Sequence, residues 1–536
     1  MTNDNTPTGR VFVADEVSEE GLQPLTDAGF AVEKQTGLSA KDLIFQLANR
    51  DGLIVRSETK VTEEILDAAP SLRVIGRAGV GVDNIDVPAA TARGIVVMNA
   101  PDGNTITTAE HTIALLVALA RNVAQANSSV KAALWERKKF VGAELCAKTL
   151  GIVGLGRIGR AVAQRASALG MKVVAHDPFI AADLSQDLEI QIVGLDEVLA
   201  RADFLTVHTP LTNETRGLIN ESAFAKMKTG ARVINCARGG LIDEHALYDA
   251  ITSGKIAGAA LDVFEQEPPP PDHPLLSLEQ VIVTPHLGAS TAEAQQAVAV
   301  TVAEQMRDYL LTGALRGAVN MPAFGAKELA MLQPYLSLAE SLGRFQAQLI
   351  DNPVREVRLE FAGELVEVDA APVTRAFLAG LLRDISARVN VVNAFVIAEE
   401  RGIAVTTAYV RGSNAASAIR TSVSSANGEQ TASGSVFTTA EGYREGRITR
   451  IDGFRIEAIP RGNMIVMHNR DVPGVIGKVG SILGEAEINI SAFHLGRRER
   501  GGEAMAIIEV DAPLDKPTLD RLLQLDSIIA LRQIEL

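Results

Sequence analysis

Residues 151–178 read Gly-Ile-Val-Gly-Leu-Gly-Arg-Ile-Gly-Arg-Ala-Val-Ala-Gln-Arg-Ala-Ser-Ala-Leu-Gly-Met-Lys-Val-Val-Ala-His-Asp-Pro. An apolar strand at 149–153 runs into Gly154, Gly156 and Gly159, which stand at G-x-G-x-x-G spacing. Ile158, Val162, Ala166 and Leu169 then recur at helical period, and a second strand at 171–175 ends on Asp177. Each residue type has a physical task. Gly154 allows the tight strand-to-helix turn, Gly156 lets a pyrophosphate approach the backbone, and Gly159 lets helix and strand pack closely. The first N–H groups of the helix have no partners within it and face an anion with favourable dipole sign. A carboxylate about 20 residues on suits the ribose diol of a dinucleotide. Pro178 and Phe179 follow Asp177 and offer no cation to a ribose 2′-phosphate, so the expected cofactor is NAD rather than NADP.

A chain of 536 residues should hold more than two domains. Its 47% apolar and 22% charged content is that of a globular protein. No apolar stretch reaches the roughly 20 residues of a membrane helix, and the start, 1–10, has no apolar signal core. The two cysteines, Cys146 and Cys236, show no metal-ligand spacing and suit a reducing, cytoplasmic setting. A net charge of −15 argues against generic nucleic-acid or membrane binding. An anionic substrate must therefore meet local cations.

Strands alternate with helices on both sides of residues 151–178, which predicts parallel sheets covered by helices. In such sheets ligands bind outside the carboxyl ends of the strands. Arg56 ends the strand at 52–56. Arg77 ends the strand at 73–76 and is followed by Ala-Gly-Val-Gly-Val-Asp-Asn, whose glycines leave backbone N–H groups open to a carboxylate. A long helix at 107–126, apolar on most faces, is expected to cross between two domains. The only tryptophan, Trp135, precedes Glu136-Arg137-Lys138-Lys139, read either as a solvated loop or as an anion-steering patch.

Three later strand ends carry candidate chemistry: Arg238 before Gly239-Gly240, Glu267 before a proline-rich loop, and His286 after Thr284-Pro285. Together these residues can oxidise a secondary alcohol. His286 would take the hydroxyl proton as nicotinamide takes the hydride. Glu267 would fix the tautomer and stabilise the imidazolium, while Arg238 would hold a 2-hydroxy carboxylate in a bidentate fork.

These blocks, with Arg56-Ser57, residues 77–84 and residues 135–139, resemble the D-2-hydroxyacid dehydrogenase family over nearly the whole chain, in its long form acting on 3-phosphoglycerate. The resemblance implies a doubly wound Rossmann-type NAD domain at 101–287 inserted in a flavodoxin-like substrate domain, 1–100 plus 288–322. An α+β intervening domain of allosteric substrate-binding type (323–460) and a ferredoxin-like ACT domain (461–536) would follow. It implies that Arg238, Glu267 and His286 are catalytic. Cofactor contacts are expected from Gly154, Gly156, Arg157, Ile158, Gly159 and Asp177, and from Thr209, Pro210, Cys236, Arg238, Asp262 and His286. Substrate contacts are expected from Arg56, Arg77, Gly79, Arg137, Lys139 and Arg238, with Arg137 and Lys139 in some members reaching across a subunit boundary. The activity implied is oxidation of 3-phospho-D-glycerate to 3-phosphohydroxypyruvate, the entry to L-serine synthesis, by a cytoplasmic homotetramer without a metal. Asp471 and Asn489 match the positions that contact L-serine as an allosteric inhibitor. The bland alternative for that pair is turn chemistry and a strand-entry amide. Arg444, Arg447, Arg450 and Arg455 are either an anion site or a solvated strand face. Two rival functions remain: a dehydrogenase of another D-2-hydroxy acid, and a non-catalytic NAD- and amino-acid-sensing regulator.

Overall fold

The computed structural model describes residues 7–180, 190–322, 326–350, 353–385, 388–411 and 417–536. The polar start at 1–6 and the expected helix ends at Asp351 and Ser386 lie outside them. The described residues form four sheets. The first is all parallel, in the order Ala31–Lys34, Arg10–Val13, Gly52–Val55, Val74–Arg77, Val96–Asn99. Its inner strands are short apolar runs buried on both faces, as a helix-covered parallel sheet requires, while the edge strand Ala31–Lys34 is only half-buried. The helix Ala292–Thr312 returns from far along the sequence. Its Val298, Val302 and Met306 pack with Val11, Val13 and Ile54 in one core. Asn320 completes the return: its Oδ1 accepts from Val97 N at 2.9 Å and its Nδ2 donates to Ile95 O at 2.9 Å. This strand order, 2-1-3-4-5, is the flavodoxin-like one expected.

The second sheet has seven parallel strands. In chain order they are Thr149–Val153, Lys172–His176, Gln191–Ile192, Phe204–Val207, Ala231–Asn235, Ile256–Leu261 and Val281–Val283, and the spatial order is 3-2-1-4-5-6-7. The order reverses beside Thr149–Val153, so the Gly154 turn lies at the switch point where doubly wound sheets bind ligands. The expected helix at 107–126 is two helices, Thr105–Arg121 and Val123–Lys131. They break at Asn122, which adopts the left-handed conformation at φ 53°, one that asparagine tolerates better than most residues. The first of them buries Leu115, Leu116 and Leu119 against the Rossmann core.

Residues 329–351 read in sequence as a helix pair, but the structure has a single helix, Ala326–Leu349, with Pro334 inside it. Burial of Tyr335, Leu338, Leu342 and Phe345 outweighs the proline's missing donor. This helix covers a six-stranded mixed sheet that includes Val354–Ala362 and Arg444–Ile451. Asn390 Nδ2 donates to Gly94 O at 2.9 Å and Asn393 Nδ2 to Ala92 O at 3.2 Å, so the asparagines expected to anchor this domain tie it to the first. The fourth sheet is antiparallel. Its order is Ile490–Arg497, Glu503–Val510, Asn463–Arg470, Ile528–Glu535, with helices Val475–Glu485 and Lys516–Leu523 on one face. That is the ferredoxin-like arrangement.

Candidate active site

The cofactor loop has the shape its glycines require. Gly154 sits at φ 92°, and a Cβ at Gly159 would lie 2.1 Å from Gly154 O. The space around Gly156 is open. The helix Arg157–Ala168 starts at Gly156, whose side has no capping group, so its first N–H groups stay available. Asp177 bridges the tip: Oδ2 accepts from Leu155 N and Oδ1 from Phe179 N, both at 2.9 Å. Arg157 Nε pairs with Asp102 Oδ1 at 2.7 Å across to the segment that enters the helix Thr105–Arg121. Buried and without partners here are Asn104 Oδ1, Thr105 Oγ1 and Thr209 Oγ1. Unpartnered buried polar atoms are costly unless a ligand or water serves them, so the loop fits a polar cofactor. Asn104 and Thr105 were not singled out in the sequence. They follow the strand Val96–Asn99, so the strand-end rule that found Arg56 and Arg77 could have found them.

The catalytic candidates converge. His286 Nδ1 lies 2.7 Å from Glu267 Oε2, and Glu267 Oε1 accepts from Phe264 N at 3.1 Å. Both side chains are partly exposed, 42% for the histidine and 38% for the glutamate, so Nε2 of His286 is left for a ligand. Burial pushes the Glu267 carboxyl up. The bond from His286, its charge and the Phe264 N–H outweigh that and hold the carboxyl below its usual range. His286 itself is left-handed at φ 56°, a conformation that costs energy in a residue with a side chain and clusters at functional sites.

Asp262 holds that turn in place. Its carboxylate is fully buried. It accepts from Thr284 Oγ1 at 2.5 Å, Leu287 N at 2.7 Å and Gly288 N at 2.8 Å, and meets His111 Nε2 at 3.1 Å. Burial opposes its charge, but these bonds keep its carboxyl below the ordinary range. Cys236 is buried beside it, and desolvation pushes its thiol up to about 12, so it is an inert packing group.

Past the end of the strand Ala231–Asn235, in the same sheet as the strand Val281–Val283 that precedes His286, begins a group of arginines. Arg238 donates Nε to Asp83 Oδ2 at 2.9 Å and Nη1 to Ala237 O at 2.7 Å. Arg77 is buried, with Nε unpartnered. Desolvation and then the charges of Arg238 and Arg56 lower its pKa to about 10, against the opposing pull of Asp83 and Asp15. Its guanidinium folds over Gly79, where a Cβ would lie 1.6 Å from Nη1. Arg56 donates Nη1 to Glu16 O at 3.1 Å. The three cations are held together without a matching set of carboxylates, which is the electrostatics of an anion-binding cleft.

Arg137 and Lys139 are not brought into this cleft. They lie on the short turn Arg137–Phe140, and Lys139 Nζ pairs with Glu279 at 3.0 Å. Glu279 precedes the strand Val281–Val283, whereas His286 follows it, so the two lie roughly 20 Å apart along an extended chain. Asp471 and Asn489 are likewise separated. Asp471 Oδ2 accepts from Arg497 Nη1 at 3.0 Å and Gly501 N at 3.1 Å, beside a cavity of about 450 Å³. The Gly501 N–H and then Arg497 hold its carboxyl below its usual range. Asn489 lies at the other end of the same sheet and donates Nδ2 to Asp511 Oδ2 at 2.8 Å.

Residues 113–288 match the family model for the D-isomer specific 2-hydroxyacid dehydrogenase NAD binding domain. Residues 331–451 match the D-3-phosphoglycerate dehydrogenase intervening domain, and residues 463–527 the ACT domain. The chain is 44% identical to the D-3-phosphoglycerate dehydrogenase of Archaeoglobus fulgidus, covering 98% of this chain and 100% of that one. The chain belongs to the D-3-phosphoglycerate dehydrogenase family. The enzyme of that name from Bacillus subtilis is 43% identical over 98% of this chain and 99% of its own. Among solved structures, a glyoxylate reductase from Paecilomyes thermophila superposes with a TM-score of 0.54 at 30% identity, over 59% of this chain and 99% of that one. Family membership makes the chain an NAD-dependent oxidoreductase, with its NAD-binding domain within residues 113–288. Among the described residues no helix is long and apolar enough to cross a membrane, and no cluster could hold a metal ion.

Proposed function

We propose that the chain oxidises 3-phospho-D-glycerate at C2 to 3-phosphohydroxypyruvate, with NAD, as the first step of a phosphorylated route to L-serine. The observation that carries this reading is the His286–Glu267 pair opening onto a cleft that gathers Arg238, Arg77 and Arg56. Arg238 presents its free guanidinium edge to the substrate carboxylate and polarises the C2 oxygen. Arg56 and Arg77 supply the remaining charge for a substrate with two anionic groups. His286 Nε2 removes the C2 hydroxyl proton, and the imidazolium that results is stabilised by the ionised Glu267 at Nδ1. NAD, when bound, supplies the acceptor for the C2 hydride. Gly154, Gly156 and Gly159 let its pyrophosphate meet the N–H groups of the helix Arg157–Ala168, and Asp177 takes its ribose. Thr209, Pro210, Cys236 and Asp262 line or brace the nicotinamide end.

The domain limits that go with this reading are 1–100 plus 288–322 for substrate, 101–287 for NAD, 323–460 for the intervening domain and 461–536 for the ACT domain. The setting is the cytoplasm and the assembly a homotetramer. Exposure of Val123 at 50%, Val130 at 54%, Leu134 at 52% and Trp135 at 78% supports assembly through the helix Val123–Lys131. Such an interface would also carry Arg137 and Lys139 to a neighbouring site. L-serine, as inhibitor, would use Asp471 of one ACT domain and Asn489 of another, because one chain cannot bring both to a single ligand.

The test is NADH formation with 3-phosphoglycerate, D-glycerate and D-lactate in turn, with hydrazine to trap the keto product. Turnover of 3-phosphoglycerate alone supports the reading. Turnover of an unphosphorylated acid alone sinks the substrate assignment and keeps the mechanism. NAD binding without turnover of any 2-hydroxy acid leaves the sensor.

A further inference from the structure

Asp83 and Arg238 are far apart in sequence and lie in loops that follow strands of different sheets, yet they meet at 2.9 Å. Arg238 has two internal anchors. Asp83 takes Nε from the substrate-domain side, and the carbonyl of Ala237 takes Nη1 from its own side at 2.7 Å. Two fixed points set the plane of a guanidinium, because its five donors lie in one rigid fork. The edge that remains is Nη2. A Cβ on Gly81 would sit 1.9 Å from Nη2, so the backbone two residues before Asp83 is shaped to admit that edge. Asp83 also acts on Arg77, ahead of Asp15, and there opposes the repulsion from Arg238 and Arg56.

Resting on the dehydrogenase reading above, we infer that Asp83 is a positioning residue for Arg238: from the opposite domain it fixes the plane of the guanidinium that receives the substrate carboxylate, and it balances the charge that gathers three arginines in one cleft. The side chain of Asp83 is 66% exposed, so its removal leaves no hole in a core. Its effect should therefore reach the reaction through Arg238 and not through stability. The carbonyl at Ala237 alone leaves the fork one torsion of freedom, and a substrate carboxylate then binds in several orientations, of which few align C2 with His286.

The test uses the full chain and four variants: Asp83→Ala, Asp83→Asn, Gly81→Ala and Arg238→Lys, with the Asp83→Ala, Arg238→Lys double variant. Kinetics with 3-phosphoglycerate are read beside NADH affinity, thermal midpoint and the affinity of the NADH complex for oxamate, a 2-keto carboxylate analogue. Asp83→Ala should lower kcat/KM about tenfold, the scale of one hydrogen bond to a charged group, with oxamate affinity falling in parallel. NADH affinity and thermal midpoint should stay at wild-type values. Asp83→Asn keeps an acceptor for Nε and should lose less. Gly81→Ala changes no charge and should reproduce the loss by displacing Nη2. In the Arg238→Lys background, Asp83→Ala should add almost nothing, because the fork it holds is gone. Losses that simply multiply in the double variant, or a wild-type kcat/KM for Asp83→Ala, would overturn the inference while the dehydrogenase reading stands. A wild type that binds oxamate but leaves 3-phosphoglycerate untouched corrects the substrate, and the oxamate series then decides for or against Asp83. A wild type that neither turns over 3-phosphoglycerate nor binds oxamate overturns both.

Discussion

Two imidazole–carboxylate pairs flank the same loop, and they differ in access more than in geometry. His286 meets Glu267 at 2.7 Å, and His273 meets Glu244 at 2.9 Å. The first pair is 42% and 38% exposed at the mouth of the cleft. The second is only 13% and 17% exposed, and its histidine Nδ1 is buried with no partner. Glu244 also accepts from Glu265 N at 2.7 Å, and His273 packs edge-on to Phe264 at 5.5 Å between ring centres. The inner pair thus ties down both ends of the loop that carries Glu267. A histidine bonded to a carboxylate is not a catalytic signature in itself. One with a free ring nitrogen open to an anion-binding cleft is a candidate base, and one sealed behind a loop is a brace.

That contrast can be broken or sharpened by substitution. The largest expected effect is at the outer pair: Glu267→Ala should lower kcat by roughly 100-fold, the scale of general acid–base assistance, with a smaller loss of stability than at the inner pair. A kcat near wild type would put Glu267 on the same footing as Glu244. At the inner pair the balance should reverse. Glu244→Ala leaves His273 and the Glu265 N–H unsatisfied and should cost about 1–3 kcal/mol of stability in denaturant unfolding, with kcat falling only a few fold. Acid should separate the pairs from ordinary surface charge. The Glu267 and Asp262 carboxyls are held below their ordinary carboxylate range in the fold. Their stabilisation is present above that range and lost as pH falls through the lower folded-state values. Acid unfolding of Asp262→Asn should accordingly show a shallower dependence on pH than wild type. The smallest effect belongs to the exposed helical pair Arg201–Glu197, where Glu197→Ala should change stability by only about 0.3–0.5 kcal/mol. A larger loss there would undermine the use of exposure to rank these pairs.

Much of this arrangement was legible in local sequence. The Gly154 loop and the strand ends at Arg77, Arg238 and His286 obey short-range rules of period and topology, so both parallel sheets and the main site residues could be read directly. What could not be read depends on contacts between distant segments or on backbone torsions. The Asp83–Arg238 pair joins two domains. The left-handed turn at His286 is held by Asp262, and the break at Asn122 is a single torsion inside a continuous apolar pattern. Residues 329–351 read in sequence as a helix pair because pattern and propensity are local, while the burial that keeps one helix whole is tertiary. Lys139 pairs with Glu279 and Asn489 with Asp511, each away from the residues it was grouped with, and a local pattern carries no signal of what a second copy brings together.

The most direct test of the account is hydride transfer in a single turnover, with NAD and 3-phosphoglycerate, for His286→Gln beside His273→Gln. The account predicts that His286→Gln slows the NADH burst by roughly 100- to 10,000-fold with NADH affinity intact, while His273→Gln keeps a burst within a few fold of wild type and loses stability instead. A wild-type burst from His286→Gln, or an equal collapse of both variants, would contradict it.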